Sequence, residues 1–392
     1  MKRVLIFLPF VAWASLLSDL KLKEIDLDKK EAYHSSKETE KSWINPLMLT
    51  YSYSKDNSLG DIKTTNTLFS ISVNQPVFKS GAIYYSLKYA KHLKSYTVLN
   101  IEKKKRELIK TAYDLAIDYK ITKLNEKIIL LNIKNAKIDI KKKKEDFLNG
   151  VGDSTFLNNA VLNFNSLKLS LEDIKLNLVN LKYSFKNLSS LDIEKVELPK
   201  FRLVTKNEFV NKNIDYLIEK KNKKVKKDLY KMQVGNQLLS VNLNASLNWQ
   251  EIDYSKNTPQ LNDVKTDFYR VGVSVTLPLS ANALNKIEKS KVEYLKTELN
   301  AEDVKNTLIN KYYNLVSQIK TLDNKIKIYR ENIKIYDDLI NSTIESITAG
   351  NATEDDLRIL KNSQKTMKYN IEITKLKKEK IMLSLYYNLQ GL

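Results

Sequence analysis

Apolar residues recur along two stretches of the chain at alternating intervals of four and three positions. The longer stretch comprises Leu308, Tyr312, Leu315, Ile319, Leu322, Ile326, Tyr329, Ile333, Tyr336, Ile340, Thr343 and Ile347. The shorter stretch comprises Leu157, Ala160, Phe164, Leu167, Leu171, Ile174, Leu178, Leu181, Phe185 and Leu188. An average spacing of about 3.5 residues is the repeat of a coiled-coil seam, so the sequence predicts long α-helices that pack along one another.

Four other segments alternate apolar and polar residues with a period of two, which is typical of strands with one apolar and one polar face. The alternation predicts strands near Pro46–Lys55, Asn66–Phe78, Val241–Tyr254 and Phe268–Leu279. The polar segments between paired strands, Ser54–Thr65 and Ser255–Thr266, are predicted to be loops. From the alternation alone, membrane-spanning strands and the strands of a soluble sheet are equally good interpretations.

The two halves of the sequence repeat this order of segments. The first strand pair ends in VNQPV and the second in VTLPL, with Pro76 and Pro278 at an offset of 202 positions. Gly150 and Gly350, at an offset of 200, each follow a long helical stretch. Because glycine readily adopts the left-handed conformation that ends helices, both are predicted to form the turns of helical hairpins. The repeating unit is strand, strand, long helix, turn and returning helix.

This order predicts the divisions of the chain. Residues 1–14 are predicted to be a secretory signal peptide, because two basic residues precede an apolar run that ends at a small-x-small cleavage site. Residues 15–188 form the first repeat, with a short helix, two strands and a helical hairpin. Residues 189–205 form a non-helical connector. Residues 206–392 form the second repeat, in which a helix over Lys206–Asn236 precedes the strands and the hairpin.

Composition narrows the possible chemistry. The 392 residues include no Cys and only two His, which excludes thiol nucleophiles, disulfides and cysteine-based metal sites. The sequence has no nucleophile–base arrangement and no glycine-rich phosphate loop, so neither an enzyme nor a cofactor or metal site is expected. The formal net charge is +20, but lysines alternate with acidic residues along helical stretches, which favours solvated helix faces over nucleic-acid binding. The run Lys141–Lys144 is a candidate for contact with an acidic partner.

The sequence resembles the TolC family of outer-membrane efflux and secretion channels in four features. These are the strand ends, the Gly-x6-Leu turns at Gly150 and Gly350, the returning helix that begins LNNA at Leu157, and the duplicated order of elements. The resemblance extends over the whole chain after residue 14. It implies a mostly α-helical fold with a β-barrel part. In this fold, a homotrimer pools four strands from each chain into a twelve-stranded outer-membrane barrel, and long helical hairpins form a periplasmic tunnel.

The function that this resemblance implies is a passive exit channel in the outer membrane, in contact with its lipid. The channel would serve a tripartite efflux or type I secretion system, with a periplasmic adaptor and an inner-membrane transporter as partners. The alternative is a periplasmic coiled-coil adaptor or structural protein whose strands form a soluble domain. Tyr51, Tyr53, Trp249 and Tyr269 lie on apolar strand faces, as in the aromatic girdles of membrane barrels, which favours the channel.

The resemblance also implies a gate at the periplasmic end of the tunnel, where acidic residues ring the constriction. Asp356 stands at the position of one such acid, whereas Ile359 stands where a second acid is expected. The neighbouring Glu354 and Asp355 are candidates to replace the missing acid. All three acids also suit the start of the returning helix, where negative charge is stabilising. A gate and a helix cap are therefore both open interpretations of Glu354, Asp355 and Asp356.

Overall fold

The computed structural model describes residues 16–59, 62–254 and 263–390. The predicted signal peptide, residues 1–14, lies outside these described residues. The elements in chain order are α1 (Asp19–Lys41), β1 (Met48–Leu59), β2 (Ile62–Lys79), α2 (Ala82–Leu148), α3 (Ser154–Lys186), a short 3₁₀ helix (Ile193–Lys195), α4 (Lys206–Asn211), α5 (Ile214–Asn236), β3 (Ser240–Tyr254), β4 (Val264–Thr276), α6 (Ala283–Thr348) and α7 (Glu354–Tyr386).

The mostly α-helical architecture with four antiparallel strands is confirmed. The two longest helices, α2 and α6, have 67 and 66 residues, and their returning helices α3 and α7 have 33 residues each. The shorter heptad stripe coincides with α3 to within a few residues at each end. The longer stripe ends where α6 ends but begins at Leu308, well after the start of α6 at Ala283. Among the residues that the structure describes, no helix is both long enough and apolar enough to cross a membrane.

The prediction of one continuous helix over Lys206–Asn236 is wrong, because the chain breaks between α4 and α5. At this break, the N–H of Ile214 donates to the carbonyl of Asn388 at 2.8 Å. The N–H of Gln390 donates to the carbonyl of Lys212 at 2.9 Å. The C-terminal segment therefore takes up backbone groups that a continuous helix would have paired internally, a contact that no local sequence pattern reports.

The four strands form one antiparallel sheet in the order β1-β2-β3-β4. The predicted loop Ser54–Thr65 is wrong over most of its length, because β1 continues to Leu59 and β2 begins at Ile62. Ladder hydrogen bonds are made by the backbone, so the strands stay paired beyond the apolar alternation on which the prediction rested. In the second predicted loop, Ser255–Thr266, residues 255–262 lie outside the described residues and the last three belong to β4.

The chain forms two compact units, and the first consists of Ile101–Leu217 and Val304–Leu392 with the segment that ends at Leu27. Its hydrophobic core comprises Val204, Phe209, Val210, Leu308, Ile319, Met382, Leu385, Tyr386 and Leu389. The connector after α3 contributes to this core, together with α4, α6 and α7. The unit also contains both hairpin turns.

The second unit consists of Asp28–Asn100 and Ile218–Asp303, and it contains the sheet. Its helical part is joined by polar contacts, among them the pair between His92 on α2 and the 6 % exposed Asp228 on α5. An exposed ion pair also links α5 to α6 within this unit, with Lys226 Nζ 2.9 Å from the carboxylate of Glu293. Both units draw on both halves of the sequence, and the predicted division into two repeats stays a prediction.

Candidate functional site

The two hairpin turns have the same backbone geometry. Gly150 ends α2 with φ +71°, and Gly350 ends α6 with φ +77°. The residue after each glycine donates its N–H to the carbonyl five positions earlier, at 2.9 Å in the first turn and 2.8 Å in the second. This is the Schellman arrangement, which requires a left-handed residue at the helix end. Glycine adopts that conformation without the strain that a Cβ would introduce.

The helices that return from these turns are capped differently. At the start of α3, Asp153 accepts a hydrogen bond from the N–H of Thr155 at 2.8 Å. At the start of α7, Thr353 and Asp356 form a reciprocal capping box. The N–H of Asp356 donates to Thr353 Oγ1 at 3.2 Å, and the N–H of Thr353 donates to Asp356 Oδ2 at 3.0 Å. Asp356 is therefore a helix-capping residue in the first unit.

The same acids form ion pairs with the lysine run near the end of α2. Lys141 Nζ lies 3.1 Å from Asp355 Oδ2, and Lys142 pairs with Asp356. Arg358, one helical turn further along α7, also contacts Asp355 at 3.1 Å. The hydrogen bond from Lys142, followed by those from Thr353, lowers the pKa of Asp356 to about 2. Asp356 is thus held ionised by contacts within its own chain.

Of the predicted gate residues, the structure places Asp355 and Asp356 in this network and leaves Glu354 exposed at the first position of α7. The sequence named the run Lys141–Lys144 as a candidate for contact with an acidic partner, but it did not show that Lys141 and Lys142 pair with acids of the same chain, 214 positions later. No local pattern links residues that far apart. Within the described residues, no group of three or more His, Asp or Glu side chains is arranged to hold a metal ion.

The sheet in the second unit separates apolar from polar side chains. Its apolar face carries Leu49, Tyr51, Phe69, Ile71, Val73, Leu243, Leu247, Trp249, Tyr269, Val271, Val273 and Val275. Tyr269 and Val271 are 75 % and 70 % exposed, so none of the residues that the structure describes covers this face of β4. The opposite face carries Ser, Thr, Asn and Gln side chains that bond across strands, as Gln250 does to Asn66 at 3.0 Å.

The comparisons with known proteins agree with this architecture. The sequence model of the family described as Outer membrane efflux protein matches residues 225–364. The outer membrane protein VceC from Vibrio cholerae has a similar structure, with a TM-score of 0.72 and 12 % identity over 96 % of this chain and 94 % of that one. Over residues 225–364 the chain resembles outer membrane efflux proteins, and its fold is that of TolC-like channels.

Two further solved structures have the same fold as this chain. CusC matches with a TM-score of 0.75 and 11 % identity, over 98 % of this chain and 92 % of that one. The CmeC outer membrane channel of Campylobacter jejuni matches with a TM-score of 0.72 and 16 % identity, over 98 % and 86 %. No curated protein sequence matches significantly. The fold of this chain is therefore that of solved outer-membrane channels.

Proposed function

We propose that this protein is a passive exit channel that receives its substrates from a periplasmic adaptor and an inner-membrane pump and releases them outside the cell. The observation that carries this proposal is the four-stranded sheet with one exposed apolar face and two unpaired edges, at β1 and β4. Unpaired backbone groups are too costly to expose to lipid. Such a sheet enters a membrane only when copies of the chain close it into a barrel.

The height of the apolar face suits an outer membrane. From Val241 to Trp249, the apolar positions of β3 extend over eight residue steps, or about 27 Å of strand. At a strand tilt of about 40°, this length rises about 21 Å, close to the apolar band of about 25 Å in outer-membrane barrels. Phe69 and Trp249 pack against each other at its outer end, with ring centroids 5.4 Å apart, as expected of an interfacial aromatic girdle.

The number of strands supports a trimer. Two chains would close eight strands, whose interior is largely filled by side chains, whereas three chains would close twelve around an open lumen. The helices of the first unit also leave surface for neighbouring copies. On α3, Leu162, Leu169, Leu176 and Tyr183 recur every seven residues and are 57–70 % exposed. This stripe lies opposite the seam that α3 buries within its own chain, as expected of a helix that packs against two partners.

We place the gate at the hairpin turns, with Glu354, Asp355 and Asp356 of the three chains near the mouth of the tunnel. The ion pairs to Lys141 and Lys142 partly neutralise these acids, so a cation entering the mouth would compete with lysines of the same chain. The adaptor would dock along the hairpins of the first unit through coiled-coil contacts. Drug efflux and type I secretion use the same kind of exit channel, and the gene neighbours of this protein would distinguish them.

Membrane fractionation and chemical cross-linking test the proposal together. The full-length protein is expected in the outer-membrane fraction, where cross-linking converts it to a species of three chains. The purified trimer is expected to produce discrete conductance steps in a planar lipid bilayer. A full-length monomer in the soluble periplasmic fraction would instead support the alternative function, a coiled-coil adaptor whose sheet is not a membrane barrel.

A further inference from the structure

Arg270 is a charged side chain in the middle of the polar face of the sheet. Antiparallel pairing places Arg270 of β4 in a cross-strand row with Ser246, Ser72 and Met48. The rows on either side contain only uncharged residues, among them Asn244 and the half-buried Phe268. Arg270 is exposed, and its guanidinium lies over the ring of Phe268 at 4.9 Å from the ring centroid. This contact holds the side chain against the sheet without neutralising its charge.

Opposite charges on this face are distant. Within the strands as described, Asp56 is the one carboxylate on the polar face. Asp56 pairs with Thr64 of β2, which lies eight residues along the strand from Ser72, the β2 residue in the row of Arg270. This separation corresponds to about 27 Å. It exceeds the screening length of about 10 Å at 0.1 M ionic strength. The positive charge of Arg270 is therefore felt by solutes near it with little compensation from Asp56.

The position of Arg270 along β4 determines whether the polar face lines the lumen or faces lipid. On the apolar face, its sequence neighbours are Tyr269 and Val271, both within the apolar band. An arginine facing lipid near the middle of a barrel costs about 2–4 kcal/mol. The polar face must therefore line the lumen, and Arg270 lies near the middle of the membrane-spanning part of the channel. Arg270 itself lines an open recess of 410 Å³, together with Asn244 and Ser246.

We propose that three copies of Arg270 form a positive belt in the barrel lumen that favours the passage of anionic solutes over cationic ones. This inference rests on the proposed trimeric channel and adds to it the charge class of its preferred substrates. Twelve strands spaced about 4.8 Å apart and tilted about 40° enclose a backbone diameter of about 24 Å. The arginine side chains extend into this space, so at 0.1 M salt their fields overlap near the axis. At 1 M salt, the screening length falls to about 3 Å and the preference disappears.

The absence of cysteine from the chain allows the potential beside Arg270 to be measured directly. Ser246→Cys places a single thiol opposite Arg270. Its reaction rates with an anionic and a cationic methanethiosulfonate of similar size are compared in outer membranes at low salt. With Arg270 present, the anionic reagent is expected to be favoured. In Ser246→Cys/Arg270→Gln, the ratio of anionic to cationic rates is expected to fall about fivefold, since two reagents that differ by two charges sense the lost guanidinium.

A matched control removes a positive charge from the other face. Lys55 lies on the face of Tyr51 and Tyr53, near the outer end of β1, so Lys55→Gln is expected to leave the rate ratio at Ser246→Cys unchanged. In bilayers under a salt gradient, Arg270→Glu should shift the reversal potential toward cation selectivity. An unchanged rate ratio in the Arg270→Gln background would overturn the proposal.

Thiol reaction rates also distinguish a failure of this inference from a failure of the proposed function. A thiol introduced by Val271→Cys, on the opposite face, should be shielded by lipid and react far more slowly than one introduced by Ser246→Cys. If the two thiols react equally fast in intact outer membranes, the sheet does not line a barrel, and the channel proposal fails together with the charge belt. If only Ser246→Cys reacts but shows no charge preference, the channel stands and the role of Arg270 is refuted.

Discussion

Lys142 on α2 pairs with Asp356 on α7, so an ion pair between residues 214 positions apart in the sequence joins the tips of the two hairpins. The same carboxylate caps α7 through Thr353. The helix cap is therefore present in the single chain, whereas the gate role of Asp356 would require three chains and stays a prediction. The first two predictions test these roles separately.

The stability contribution of Asp356 is expected to depend on pH. Its pKa is lowered from 3.8 to about 2, so folding favours the ionised form. A carboxylate with a depressed pKa stabilises the folded state above its unfolded pKa, and this contribution is lost as the pH falls through the folded pKa. Asp356→Asn should thus lower the free energy of unfolding at pH 7 by about 0.3–1 kcal/mol, because the group is largely exposed.

Denaturant unfolding of both proteins at pH 7 and near pH 2 measures this difference. The gap between wild type and Asp356→Asn should close between pH 4 and pH 2. Thr353→Ala serves as a control that removes the hydroxyl of the cap but leaves the ion pair to Lys142, and it should be destabilising at both pH values. A gap of constant size for Asp356→Asn would mean that its charge contributes nothing to the fold.

The gate role predicts a change in ion block. Carboxylates that converge at a narrow mouth draw in cations, so divalent cations should block the conductance of the wild-type channel. Asp356→Asn should weaken this block in single-channel recordings. Phe156 occupies the corresponding position of α3 and is apolar, so Phe156→Ala should leave the block intact. If block persists unchanged in Asp356→Asn, these acids are helix caps and the gate lies elsewhere.

The exposed apolar stripe of α3 predicts which substitutions disrupt the trimer. Leu169 is 70 % exposed in the single chain, so Leu169→Glu leaves the core of the first unit unchanged. In the trimer, the same substitution would bury an unpaired charge against a neighbouring copy. Cross-linking or light scattering in detergent should show loss of trimer while circular dichroism remains helical. Asn163→Glu introduces the same charge at an exposed polar site beside the stripe and should assemble normally; loss of trimer in both variants would argue against a specific contact.

Two glycines offer a matched test of backbone packing in the second unit. A Cβ built on Gly235 of α5 would lie 2.7 Å from the backbone nitrogen of Ala82 and 2.8 Å from the carbonyl of Ser80. Backbone atoms at that distance cannot yield easily, so Gly235→Ala should lower the melting temperature, at a cost of about 1–3 kcal/mol. Gly272, on the polar face of β4, has open space at its Cβ, so Gly272→Ala should be tolerated. Equal melting temperatures for the two variants would contradict the close approach.

The sequence by itself determined the periodic elements of this protein. The spacing of Leu157 through Leu188, and of Leu308 through Ile347, is sufficient to predict helices, because an apolar stripe reflects which face of a helix is buried. The alternation of apolar and polar residues likewise predicted all four strands and both faces of the sheet. The turns at Gly150 and Gly350 were predictable because the left-handed conformation strongly favours one residue type.

Only the tertiary structure decided the contacts between distant segments. The break between α4 and α5 depends on backbone groups of residues 388–390, and the ladder beyond Ser54 depends on pairing that polar side chains do not report. The partners of Asp355 and Asp356 depend on how two hairpins are placed side by side. The distance between Arg270 and the other charges on the polar face depends on the register of the four strands. Periodicity records the burial of a residue along its own element, whereas ion pairs, register and helix breaks depend on the element that lies opposite.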